Sequence, residues 1–110
     1  MYKDDYQKIL KVKEIIIRYY ADNLTISALA KEVGLSETKL KTGFKEIFQI
    51  SPHKFIIQER LNKAQKLLQD TQMQVSEIAV MVGYSSLSHF TYIFKNCIGV
   101  SPTDYRKSNF

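Results

Sequence analysis

The sequence predicts an all-α fold of seven helices. No segment of the 110 residues alternates apolar and polar side chains over the length of a strand. Both prolines follow a serine, at Ser51-Pro52 and Ser101-Pro102, which is the pattern of an N-cap residue followed by the first residue of a helix. A third observation, an internal repeat, sets the order of the helices.

Residues 26–36 and 75–85 share one pattern, aliphatic-Ser-x-aliphatic-Ala-x-x-Val-Gly-apolar-Ser, at an offset of 49. Further along the chain the two copies match at an offset of 50, as two pairs of dipeptides show: Phe44-Lys45 with Phe94-Lys95, and Ser51-Pro52 with Ser101-Pro102. The second copy has therefore gained one residue between Ser85 and Phe90. Self-similarity of this kind indicates a duplicated structural unit.

The first copy predicts three helices. The first runs from about Asp4 to Tyr20, with aspartates in its first turn, where a helix favours negative charge. Its predicted inner face comprises Tyr6, Ile9, Leu10, Lys13, Ile16, Ile17 and Tyr20. Thr25 caps a short second helix that ends at Gly34, and Ser36 caps the third. The inner face of the third helix comprises Leu40, Phe44, Ile47 and Phe48.

A long helix from Pro52 to about Gln69 links the copies, with Ile57, Leu61, Ala64 and Leu68 along its apolar stripe. The second copy repeats a short helix (Val75 to Val82), a turn at Gly83 and a helix capped at Ser85. The predicted inner face of that helix comprises Phe90, Ile93, Phe94 and Cys97, and a brief seventh helix begins at Pro102. The predicted parts are residues 1–50, a linker helix over 51–70, and residues 71–110.

Composition excludes several classes of protein. A chain of 110 residues with 45% hydrophobic and 25% charged residues is typical of a globular domain. The single cysteine, Cys97, excludes a disulfide framework or a multi-cysteine metal site and favours a reducing compartment, so we expect a cytoplasmic protein. The N-terminus is too charged for a secretory signal, and no apolar run is long enough to span a bilayer.

Chemistry-bearing motifs are absent from the sequence. His53 and His89 are isolated from other possible ligands. There is no glycine-rich phosphate-binding loop, no pair of carboxylates suited to acid–base catalysis, and no nucleophile with a general base at a matching spacing. We therefore expect no enzyme, no metal and no cofactor. The formal charge of +5 instead suits an anionic partner.

Each copy shows the pattern of a helix-turn-helix, which is a short helix, a tight glycine turn and a second capped helix. Ala30 and Ala79 stand where the two helices cross closely, and Gly34 and Gly83 form the turns. When the side chains in the angle between the two helices are buried, the N-terminal half of the second helix projects outward. In DNA-binding versions that half enters the major groove. The linker, at about 27 Å for about 18 residues, comes near the roughly 34 Å between successive major grooves.

These residues resemble the AraC/XylS family of bacterial transcription regulators. The resemblance is carried in the first copy by Leu29-Ala30-x-x-Val33-Gly34-Leu35-Ser36, Phe44-Lys45 and Ser51-Pro52, and in the second by Ile78-Ala79-x-x-Val82-Gly83-Tyr84-Ser85, Phe90, Phe94-Lys95, Gly99-Val100-Ser101-Pro102 and Tyr105-Arg106. It implies a homeodomain-like domain with two helix-turn-helix units that binds double-stranded promoter DNA and contacts RNA polymerase. Members of this family occur either as single domains of about this size or as the C-terminal domains of larger regulators, two-component regulators among them. The second arrangement, with an upstream sensor or receiver domain outside this chain, is favoured.

The resemblance places the base-reading positions on the outward faces of two recognition helices, about 36–48 and 85–97. In the first helix these are Thr38, Lys39, Lys41, Thr42 and Lys45. Lysines suit phosphate or guanine, and threonines suit a thymine methyl. The alternative is that the lysines only solvate an exposed helix face.

In the second helix the outward positions are Ser86, Leu87, Ser88, Thr91, Tyr92 and Lys95. Many family members carry arginine at the position of Tyr92, and often another at that of Thr42. Arginine is the natural bidentate reader of guanine, so this chain departs from the family there. Tyr92 either packs against the protein or contacts a phosphate or a pyrimidine edge, and Leu87 suits a thymine methyl.

Phosphate contacts are predicted at the helix N-termini of Ser36 and Ser85 and at Lys54 in the linker. Residues 51–66 carry four basic side chains against Glu59, which is also compatible with a plain solvated face. The alternative function is a helical protein-interaction module that kept the fold and lost specific DNA binding.

Overall fold

The computed structural model describes residues 2–108 and contains, over that range, seven helices and no strand. The helices are α1 (Lys3–Tyr19), α2 (Ile26–Val33), α3 (Glu37–Phe48), α4 (Pro52–Asp70), α5 (Val75–Met81), α6 (Leu87–Ile98) and α7 (Pro102–Ser108). The all-α prediction and the helix order are confirmed. Within this part of the chain, no helix is both long and apolar enough to cross a membrane.

The chain divides into two compact units, the first extending to Glu59 and the second beginning at Arg60. The division falls inside α4, so the linker helix contributes its first turns to one core and its later turns to the other. The helix predicted to link the two copies is therefore shared by the two units.

The first unit is built around the faces of α1, α2 and α3 and the first turns of α4. Its fully or nearly fully buried side chains are Ile9, Val12, Ile16, Leu29, Ala30, Val33, Leu40, Phe44, Phe55 and Ile56. The predicted inner face of α1 was partly wrong, because Val12 is buried while Tyr6 and Ile17 are exposed. Apolar residues surround much of α1, so periodicity alone did not fix the centre of the buried stripe.

Lys13, the polar residue on the predicted inner face of α1, lies at the edge of this core. Its ammonium group is 4.6 Å from the centroid of the Phe48 ring and 5.9 Å from that of Phe55. A cation over aromatic faces is stabilised by the ring quadrupole, and the aliphatic stem of the lysine covers apolar surface.

The second unit packs the later turns of α4 against α5, α6 and α7. Its buried hydrophobic side chains are Leu61, Ala64, Leu68, Ile78, Ala79, Val82, Tyr84, Phe90, Phe94 and Tyr105. Tyr105 is buried, and its hydroxyl accepts a hydrogen bond from Gln69 at 2.6 Å. Arg106 donates to the carbonyl of Leu68 at 3.0 Å. These bonds attach α7 to α4.

Two further core predictions were wrong. Cys97 is exposed, because the inner face of α6 follows Phe90 and Phe94 at i and i+4, and Cys97 lies past it in the last turn. In α4 the buried residues of the first turns are Phe55 and Ile56, and Ile57 is only half-buried.

Candidate nucleic-acid interface

The corner between α2 and α3 fixes the direction of α3. Ala30 is 2% exposed at the crossing, and its carbonyl accepts a hydrogen bond from the amide of Leu35 at 2.9 Å. Gly34 has φ 75°, in the left-handed region that favours glycine. The hydroxyl of Ser36 then accepts from the amide of Lys39 at 3.1 Å and caps α3. The predicted turn and both caps of this copy are confirmed.

The outward face of α3 contains the five base-reading candidates of the first copy. Leu40 and Phe44 are fully buried, which turns the opposite side of the helix to the surface. The exposed residues there are Thr38, Lys39, Lys41, Thr42 and Lys45. They lie along two shallow hollows, one lined by Lys41, Thr42, Lys45, Glu46 and Gln49 and the other by Asp5, Ile9, Thr38, Lys39, Thr42, Gly43 and Glu46.

Asp5 is a residue of this surface that the sequence treated only as a helix-start signal. Its carboxylate lies 3.6 Å from the ammonium of Lys39, and its side chain is 18% exposed against 62% for that of Lys39. The neighbouring Asp4 instead pairs with Lys8 at 3.2 Å, one turn along α1. No spacing in the sequence relates Asp5 to Lys39, because the contact joins two helices 34 positions apart.

The corner between α5 and α6 repeats the arrangement with different support. Ala79 is 1% exposed, and its carbonyl accepts from the amide of Tyr84 at 2.9 Å. Gly83 has φ 111°. Arg60 donates to the Gly83 carbonyl at 3.3 Å, and its guanidinium lies 5.0 Å from the centroid of the Tyr84 ring. Arg60 therefore buttresses this turn, whereas its position in the basic linker suggested a solvated or phosphate-binding residue.

The phenol of Tyr84 is buried beneath this turn. Burial raises its pKa above the ordinary value of 10.0, and the positive charge of Arg60 opposes part of that rise. The Tyr84 ring also packs edge-to-face with His89 and at a tilt against Phe90, with ring centroids 5.4 and 5.6 Å apart. Tyr84 thus joins the turn to the first half of α6.

The N-cap of α6 is Ser86 and not Ser85. The Ser86 hydroxyl accepts from the amide of His89 at 3.2 Å, and the helix begins at Leu87. The residue gained by the second copy therefore lies in the turn, and α6 matches α3 at an offset of 50. Ser85 lies outside the helix and caps nothing, so the predicted start of the second recognition helix was wrong, and with it the reason for placing Ser85 on a phosphate.

The outward face of α6 contains the other predicted candidates. Phe90 and Phe94 are fully buried, and Thr91 is half-buried. The exposed candidates are Ser86, Leu87, Ser88, Tyr92 and Lys95. Leu87 is 47% and Tyr92 64% exposed, so Tyr92 is not packed into the protein. His89 is exposed as well.

The start of α4 offers the predicted linker contact. Pro52 is buried, and the Ser51 hydroxyl accepts from the amide of Lys54 at 3.2 Å. Lys54 is exposed. Among residues 2–108, no group of three or more His, Cys, Asp or Glu side chains is arranged to hold a metal ion.

Known proteins match this architecture. A family model described as a helix-turn-helix domain matches residues 29–108. The chain is 34% identical over 97 residues to the Msm operon regulatory protein of Streptococcus mutans, covering 88% of this chain and 35% of that regulator. The chain thus spans about a third of the length of that relative.

Two solved structures resemble the whole domain. The C-terminal domain of AraT, a response regulator from Geobacillus stearothermophilus, superposes with a TM-score of 0.90 at 29% identity, over 94% of this chain and 86% of that one. A transcriptional regulator from Chromobacterium violaceum, of the group containing AraC-type DNA-binding domains, gives a TM-score of 0.82 at 28% identity, over 92% and 90% of the two chains.

Proposed function

The chain belongs to the AraC-type family of helix-turn-helix transcription regulators, and on that premise we propose that α3 and α6 read the bases of its DNA site. One observation carries the assignment: each helix follows a tight turn and fully buries two side chains on one side, and every predicted candidate except Thr91 is exposed. A major groove admits an α-helix whose free face carries such side chains.

The chemistry of the exposed side chains indicates which of them suit phosphates and which suit base edges. Lys41 and Lys45 are exposed cations on α3, suited to phosphates or to guanine N7 and O6. Lys54 supplies a phosphate contact at the start of α4, and the capped N-terminus of α3 at Ser36 offers amides to another. We propose that α3 and α6 enter successive major grooves of one duplex.

Selection from a randomised duplex library tests the proposal. The purified chain is expected to enrich one site, with affinity that falls steeply as salt rises. Replacing Lys41 and Lys45 with glutamate should abolish enrichment. The charge-matched control replaces Lys11 and Lys107 with glutamate, two exposed lysines outside the proposed interface. Inserting five base pairs between the two halves of the site should weaken binding far more than a single substitution. Equal affinity for all duplexes contradicts the proposal.

We further propose that the chain acts in the cytoplasm as part of a longer regulator with a sensor or receiver domain. Support comes from the AraT domain, which is the C-terminal part of a response regulator, and from the greater length of the Msm operon regulator. The full reading frame tests this idea, which fails if the frame encodes no further domain.

An exposed apolar pair on α5 favours contact with a protein, which we propose to be RNA polymerase. Val80 and Met81 are 68% and 52% exposed, and the equivalent positions of α2 are the charged Lys31 and Glu32. Replacing Val80 and Met81 with serine should leave DNA affinity unchanged and lower transcription by purified polymerase. Unchanged transcription contradicts this assignment and leaves DNA binding untouched.

A further inference from the structure

The outward faces of the two recognition helices differ in chemistry, although their frameworks match at an offset of 50. Both begin after a serine cap and bury an aromatic or aliphatic residue at the fourth helical position. The exposed positions diverge, as these pairs show: Glu37 with Leu87, Lys39 with His89, Lys41 with Thr91, Thr42 with Tyr92, and Glu46 with Asn96. From α3 to α6, four charged side chains are replaced by side chains that are neutral at pH 7, with histidine taken as neutral.

Leu87 is the most informative of these differences. It occupies the first helical position, in the half of α6 that projects from the turn, and its side chain is 47% exposed. Thr91, one turn further along the same side, contributes a methyl group and is half-buried. The N-terminal half of α6 therefore exposes apolar carbon at Leu87, with no lysine or arginine before Lys95.

The edges of the base pairs offer one apolar group in the major groove, the C5-methyl of thymine. Burial of apolar carbon against a methyl releases free energy, whereas burial against a hydrogen-bonding edge leaves polar groups unpaired. An exposed leucine at the start of a recognition helix therefore discriminates in favour of thymine.

We propose that Leu87 reads a thymine methyl, so that the half-site under α6 is selected in part by a methyl group. This inference rests on the proposed function, and it goes beyond that function by naming the chemical group recognised. Leu87 is a specificity-determining residue in this assignment.

Single replacement of thymine by deoxyuridine tests the inference, because it removes the methyl and keeps every hydrogen-bonding group. The probe is the best duplex from the library selection, scanned thymine by thymine on both strands. The exposed Cys97, the single cysteine of the chain, allows a DNA-cleaving chelate to be attached to α6 and marks the bases beside it. Wild-type affinity should fall about fourfold at one or two marked thymines, which corresponds to about 0.8 kcal/mol for one buried carbon.

Two variants separate Leu87 from its surroundings. In Leu87→Ala the penalty for deoxyuridine at the marked thymines should disappear, since the carbon that meets the methyl is gone. In Glu37→Ala, the equivalent position of α3, the same penalty should remain. Circular dichroism checks that both variants are folded. The deoxyuridine scan of the wild-type protein tests methyl recognition even if a variant does not fold.

Three outcomes overturn the inference. A selected duplex that binds specifically but tolerates deoxyuridine throughout the marked region contradicts methyl recognition and leaves the proposed function standing. A penalty that persists in Leu87→Ala removes Leu87 as the reader. Failure to select any duplex contradicts the proposed function itself and overturns the inference with it.

Discussion

Asp5 restrains a DNA-binding candidate, so its neutralisation should strengthen DNA binding. The carboxylate of Asp5 lies 3.6 Å from the ammonium of Lys39, and a phosphate that binds Lys39 must compete with it. In Asp5→Asn the side chain keeps its shape and loses its charge. Lys39 then becomes free to neutralise a phosphate, provided that this part of α3 lies against DNA.

The magnitude follows from the geometry of the pair. Two unit charges at this separation attract by about 1 kcal/mol in water, and an exposed pair contributes between about 0 and 1 kcal/mol after screening and side-chain ordering. Because the Lys39 side chain is 62% exposed, we expect the gain in affinity to be at most about fivefold at low salt. The slope of log affinity against log salt should steepen by at most about 0.9, the value of one additional phosphate contact.

Asp4→Asn is the matched control, because it removes the same charge from the next residue while Asp4 pairs with Lys8 and not with α3. Fluorescence anisotropy of the selected duplex, measured over a series of salt concentrations, gives both affinity and slope. The effect of Asp5→Asn should exceed that of Asp4→Asn, and the excess should vanish when Lys39 is already alanine. Equal effects of the two asparagine variants, or an excess that survives without Lys39, would refute the reasoning.

Three further predictions concern single positions. Gln49 ends α3 in the left-handed region at φ 62°, where the second copy has Gly99 at φ 100°. Gln49→Gly should therefore raise the free energy of unfolding by about 0.5–1 kcal/mol, and Gly99→Gln should lower it similarly in urea melts. Tyr92→Arg should add guanine to the bases selected beside α6, because arginine binds guanine bidentately; selection that is unchanged contradicts a base-facing Tyr92. Burial raises the pKa of the Tyr84 phenol, so its contribution to stability is intact below pH 10.0 and is lost as pH rises through the folded-state pKa. In Tyr84→Phe that alkaline loss should shrink in thermal melts.

The fold was predictable because its signals are local and occur twice. A serine before a proline or before an apolar run specifies where a helix begins, and the hydroxyls of Ser36 and Ser51 accept the expected capping bonds. A glycine after a short apolar segment specifies where a helix ends, as Gly34 does in the left-handed region. Repetition of these signals in the second copy separated them from chance.

The errors arose where the deciding information is not local. Ser85 and Ser86 are both competent caps, and in the structure Ser86 caps α6, with Phe90 packed against Tyr84. The exposure of Cys97 depends on where the core ends and not on the helical period. Asp5 meets Lys39 through the crossing of α1 and α3, a contact that a single sequence does not encode in any spacing.

Duplication explains why the buried and exposed halves of this protein follow different rules. The crossing alanines, Ala30 and Ala79, are identical and nearly fully buried, since a larger side chain at either crossing would separate the helices. The positions facing away from the cores lack that constraint, and there α3 has Lys41 and Thr42 where α6 has Thr91 and Tyr92. Because α3 and α6 present different side chains, a palindromic site, whose two halves are identical, would not match both helices. The DNA site should therefore be asymmetric, and its direction should set which way the protein faces on the duplex.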